Sequence, residues 1–159
     1  MAIRKIPADT ATFHYYNANP KDRRAPDCVI RAICTATGDS WEDTLTGLYQ
    51  LALKMKSVPN DKKVYDKYLE SKGWYKRKQP RKADGTKYTG AEFAERFAGT
   101  FVANIGGEHA VCIREHKVWD IWNSTGKHHR SRRDHRWVIN IDSASRNMGN
   151  NGNMLCSTI

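Results

Sequence analysis

The apolar residues of this chain change their spacing partway along it. From Cys28 to Phe97 they recur at helical intervals, and from Gly99 onward they fall into short β-rich runs. In DCVIRAICTATG, Val29, Ile30, Ile33 and Cys34 make an apolar face, Asp27 is an N-cap and Gly38 a stop, which predicts a helix opening at Cys28. Ser40-Trp41-Glu42-Asp43 then reads as a capping box with Asp in the Glu position. It leads a second helix through Leu45, Leu48, Leu51 and Ala52 to about Lys56. Val64, Tyr65, Tyr68 and Leu69 predict a third helix ending at Gly73, and Thr89 caps a short fourth, AEFAERF. GTFVANI, HAVCIRE, KVWDIWN and RWVINI read as strands, the second and third pairing as a hairpin across Glu115-His116. Helices followed by strands define an α+β chain: an N-terminal helical half packed on a C-terminal antiparallel sheet.

The chain is long enough for one domain, and a 39% hydrophobic content with five Trp, seven Tyr and four Phe supplies a real core. Residues 1–26, broken by Asn19-Pro20 and Ala25-Pro26, read as a loop arm. Residues 27–142 form the domain, and the Asn-, Gly- and Ser-rich residues 143–159 read as a flexible tail. No apolar run reaches the roughly 18–20 residues of a membrane span, and MAIRKIPADT lacks the apolar core of a signal peptide. The expectation is a soluble, cytoplasmic protein without a membrane partner. Four cysteines, Cys28, Cys34, Cys112 and Cys156, include no close pair of the kind that marks zinc sites, so reduced thiols are expected.

Cys28 differs from the other three. At the start of a helix, open N–H groups and the positive end of the dipole favour its thiolate. His109 begins a strand just after Gly106-Gly107, and Asp120 and Asn123 lie on the next strand of the same hairpin. A nucleophilic thiol needs a base, and the base needs a third group to hold its ring in the correct tautomer. Which residue orients His109 depends on the turn. With two turn residues, Arg114 faces Lys117, and His109 shares a sheet face with Asp120. With three, His109 lies opposite Asn123, because a one-residue slip swaps faces. Cys112 points away from His109 on the same strand, and Cys34 reads as core.

DCVIRAICTATG, followed about 80 residues later by EHAVCI and then VWDIWNS, resembles the compact papain-like cysteine peptidase superfamily. The likeness covers roughly residues 17–125 and is nearest to the short bacterial and phage domains akin to bacteriocin-processing peptidases. It implies a papain-like domain over residues 27–142, with Cys28 as nucleophile, His109 as base, and Asp120 or Asn123 as the orienting residue. The activity implied is hydrolysis of a peptide, isopeptide or related amide bond through an acyl-thioester. No cofactor or metal is required. Papain-like enzymes also place an amide side chain shortly before the nucleophile to help hold the oxyanion. Asp22 occupies the usual spacing and is a poor donor, so Asn19, with Asn17 beside it, is the candidate.

Charge bears on partners. With 27 Lys+Arg against 17 Asp+Glu, the net charge is +10, concentrated in KRKQPRK at 76–82 and KHHRSRR at 127–133. A basic rim favours an acidic protein or peptide substrate. The same clusters, with Trp74, Tyr75, Tyr88, Trp119, Trp122 and Trp137 near them, also suit single-stranded nucleic acid. The competing expectation is therefore an inert papain-like fold that binds nucleic acid or an acidic host protein. His128, His129 and His135 have no acid or thiol at metal-site spacing.

Overall fold

The computed structural model describes residues 6–126 and the backbone of 139–146. The elements run β1 (Phe13–Tyr15), α1 (Cys28–Thr37), α2 (Trp41–Met55), α3 (Lys62–Ser71), β2 (Trp74–Arg77), α4 (Gly90–Arg96), β3 (Phe101–Ile105), β4 (His109–Arg114), β5 (Lys117–Asp120) and β6 (Ile139–Arg146). The class is α+β, as the change of period predicts.

The local signals act as expected at most helix ends. The Ser40 side chain accepts from the Asp43 N–H at the start of α2, and Thr89 and Glu92 make a reciprocal capping box on α4. Gly38, at φ 79°, closes α1 in the left-handed region, where a side chain would be strained. Asp27 departs from expectation. It occupies the N-cap of α1, but its side chain makes no cap hydrogen bond.

The sheet differs more. Its order is β1-β5-β4-β3-β6-β2, with β1 parallel to β5 and every other pair antiparallel. The expected all-antiparallel, C-terminal sheet is therefore corrected. The N-terminal arm supplies the edge strand β1, and β2 comes from the helical half. The expected 143–159 tail is corrected too, because β6 runs to Arg146 and lies between β3 and β2. Backbone pairing on both sides outweighs the polar composition of that segment. Residues 147–159 lie outside the described residues.

Helices cover both faces of the sheet. Val29, Ile30, Ile33, Leu48, Val64 and Leu69 from α1–α3 pack with Trp74, Val102 and Ala110. On the other face, Phe93 and Ala94 of α4 pack with Phe101, Ala103, Ile105, Val111, Ile113 and Val118. This double burial explains why β3 and β4 read as nearly continuous apolar runs rather than alternating ones. Among the described residues, no helix is long and apolar enough to cross a membrane.

Candidate active site

Two turns bring the candidate residues together. Gly106 and Gly107, at φ 66° and 86°, make the tight turn that returns β4 alongside β3, with Ile105 paired to His109. At the other end of β4, Glu115 and His116 both have positive φ, 52° and 60°, and Arg114 pairs with Lys117. This is a two-residue hairpin turn of the kind that matches strand twist. His116 Nδ1 pins it by donating to the Ala94 carbonyl of α4 at 2.9 Å. The two-residue register puts His109 and Asp120 on one face.

Their contact is direct. His109 Nε2 lies 2.6 Å from Asp120 Oδ2, with both side chains largely buried. The Trp122 ring packs against the imidazole, centroids 4.7 Å apart and planes tilted by 36°. Asp120 engages Nε2 and does not use Nδ1, and Cys28 and His109 lie close enough to shift each other's ionisation. The backbone N–H groups of Ala110 and Val29 also favour the thiolate.

Electrostatics follow from these contacts. Burial opposes ionisation of Cys28, but the hydrogen bond from His109, the two N–H groups and the imidazolium charge outweigh it. The thiol pKa is therefore below the ordinary value. Burial likewise disfavours the imidazolium of His109, and its bonds to Asp120 and Cys28 overcome this, holding its pKa up at about 9. The arrangement therefore favours the thiolate–imidazolium pair more than separated groups would. The other described thiols go the opposite way: burial pushes Cys34 up to about 11 and Cys112 up to about 12.

Asp120 is held from several sides. Oδ2 also accepts from Ser124 Oγ at 2.8 Å, Oδ1 accepts from the Ile121 N–H at 2.7 Å, and Arg31 Nη2 stands 4.0 Å from Oδ1. Asn123 is not part of this cluster. Its Oδ1 accepts from the Thr125 N–H and hydroxyl, closing a local turn. The alternative of Asn123 as orienting residue is corrected, because it required a three-residue turn.

Asn19 is also placed differently from expectation. It is buried, but its Nδ2 donates to Asp27 Oδ2 at 3.0 Å and its Oδ1 accepts from the Lys21 N–H. Asn17 is bound to Asp22 and the Arg23 carbonyl. The amide expected at the oxyanion serves instead to fix the residue before the nucleophile.

Arg31 and Ser124 lie outside the expected set, whereas Trp122 is the residue that a two-residue turn places opposite His109. Arg31 left a readable trace, a cation in the middle of the apolar helix face four residues after Asp27. Ser124 left none, since its contact depends on the chain bend after β5. Among the described residues, no group of three or more His, Cys, Asp or Glu side chains could hold a metal ion. His128, His129 and His135 and the basic 127–133 cluster lie outside the described residues.

The 76–82 cluster does not border this site. It begins on β2, at the sheet edge, with β6 and β3 between it and β4. Lys76 pairs with Asp66 and Lys82 with Glu92, while Arg77, Lys78 and Arg81 are exposed. Comparison with known proteins adds no relative: no family model matches the chain, and no curated protein or solved structure matches it significantly.

Proposed function

We propose that this chain is a papain-like cysteine hydrolase that cleaves a peptide, isopeptide or related amide bond in a protein or peptide substrate. The reading rests on one observation, the 2.6 Å contact of His109 with Asp120 where His109 and the Cys28 thiol, at the start of α1, shift each other's ionisation. The family name, with its bacterial and phage setting, rests on sequence resemblance alone.

In the first step, Cys28 Sγ attacks the scissile carbonyl carbon. The oxyanion gains the backbone N–H of Cys28 at the open start of α1, where the helix dipole adds positive potential. The C–N bond then breaks as His109 gives its proton to the leaving amine, and an acyl-thioester remains on Cys28. Water, deprotonated by His109, releases the acid and restores the thiolate. An amine in place of water would make the same chemistry a transfer reaction. Asp120 keeps the imidazole oriented and stabilises its charged form throughout.

The test is a pH series of Cys28 alkylation by iodoacetamide, in wild type and His109→Ala, mapped by peptide mass spectrometry. Wild-type Cys28 should react at pH 6 faster than a free thiol, and His109→Ala should move its reactivity to alkaline pH. An unreactive Cys28, unchanged in His109→Ala, would leave the chain as a basic binding protein instead.

A further inference from the structure

We propose that Arg31 is a positioning residue that couples the nucleophile to its base, by holding Asp27 at the start of α1 and Asp120 behind His109 with one buried guanidinium. This rests on the hydrolase reading above and extends it to a residue that does not touch the reacting atoms.

Arg31 Nη1 donates to Asp27 Oδ1 and, at 3.3 Å, to the Ala25 carbonyl, while Nη2 stands 4.0 Å from Asp120 Oδ1. All three charged residues are almost fully buried, at 6%, 5% and 4% exposure for Arg31, Asp27 and Asp120. The second oxygen of Asp27 is also committed, accepting from Trp41 Nε1 and Asn19 Nδ2, each at 3.0 Å. Asp27 therefore forgoes the usual side-chain cap and serves as an anchor for Arg31. The anchor is the residue immediately before the nucleophile.

The charge count explains why a cation belongs here. Asp120 and the Cys28 thiol both act on His109, Asp27 is buried one residue before the nucleophile, and buried acids so close together need compensation. Arg31 supplies it. Of the other ionisable groups facing its guanidinium, Tyr15 on β1 and Cys34 on α1 favour the charge, while Arg24 in the arm opposes it. Tyr65 of α3 is near enough to Cys28 for a thiolate there to oppose its ionisation. The Tyr15 hydroxyl is buried without a hydrogen-bond partner among the described residues, so it does not replace Arg31 as a donor to Asp120.

With the cation removed, the two carboxylates lose the charge that compensates them, and the negative potential they leave near Cys28 makes the thiol harder to ionise. Losing a cation's compensation at such range moves a neighbouring group by about one pH unit or more. The experiment is the Cys28 alkylation profile of Arg31→Met, with folding checked by circular dichroism. The expected result is a shift of the profile to alkaline pH by about one unit, hence a roughly tenfold slower reaction at pH 6. Asp27→Asn combined with Arg31→Met removes the stranded charge as well and should restore most of the low-pH reactivity.

A folded Arg31→Met protein with the wild-type profile overturns the proposal. So does a shift that the double substitution leaves in place, since that would mark a packing role. Because Arg31 is buried, its loss threatens folding too. If Arg31→Met does not fold, Arg31→Lys decides on the same readout. An ammonium keeps the charge but cannot fork between two carboxylates, so a smaller alkaline shift is expected, and a wild-type profile overturns the idea. An unreactive Cys28 in wild type removes the hydrolase reading itself, a separate result from any difference among the Arg31 variants.

Discussion

Asp120 accepts hydrogen bonds from His109, Ser124 and the Ile121 N–H, and this local crowding explains much of the site's behaviour. The carboxylate keeps a nearby imidazole charged well above the ordinary histidine range. His109 should therefore lose its proton near pH 9 rather than near 6.5. Since the folded value exceeds the unfolded one, the stabilisation from this pairing is fully present below about pH 6.5 and fades as the pH rises through about 9. NMR titration of the His109 ring should give a midpoint near 9 in wild type and a clearly lower one in Asp120→Asn. Equal midpoints would mean that the 2.6 Å contact does not govern the ring. At this scale, Cys28 and His109 were legible as candidates because each residue type carries its chemistry openly, whereas Asp120 and Asn123 stayed alternatives. Arg31 was hidden, because a cation on an apolar helix face discloses its purpose only when both of its acids are seen.

At the scale of elements, turns and crossings choose between alternatives that residue types leave open. Neither Glu115 nor His116 is a residue that prefers positive φ, so EHK in a hairpin suits a two- or three-residue turn equally well. The His116 bond to Ala94 on α4 accompanies the shorter turn, and the shorter turn puts Asp120 rather than Asn123 beside His109. The α2–α3 crossing shows a second conflict between local preference and packing. Gly47 sits inside α2, where Ala is ordinarily favoured by about 1 kcal/mol. A Cβ there would stand 2.5 Å from Tyr68 Cε2, on a ring that is itself buried. Overpacking of this kind costs about 1–3 kcal/mol, so sterics should win. Gly47→Ala should lower the urea midpoint, and a raised midpoint would show that the Tyr68 ring yields freely.

Across the whole molecule, sheet order sets which charges the site can feel. Three strand spacings separate β2 from β4, on the order of 14 Å, beyond the roughly 8 Å Debye length at physiological salt. Arg77, Lys78 and Arg81 should thus have little influence on Cys28. Their joint replacement by Ser should change the ratio of iodoacetate to iodoacetamide reactivity at Cys28 by less than about twofold at physiological ionic strength. A tenfold change would place that cluster at the site after all. The sequence by itself determined the α+β class, most helix starts and stops, and the candidate pair Cys28 and His109, because periodicity, caps and side-chain chemistry are local properties. Only the tertiary structure decided that β1 pairs in parallel with β5, that β6 enters between β3 and β2, that Asp120 and not Asn123 orients His109, and that Arg31 joins Asp27 to Asp120. Each of those depends on hydrogen bonds and charges between residues far apart in the chain, and pairing across such distances is settled only when the whole sheet closes.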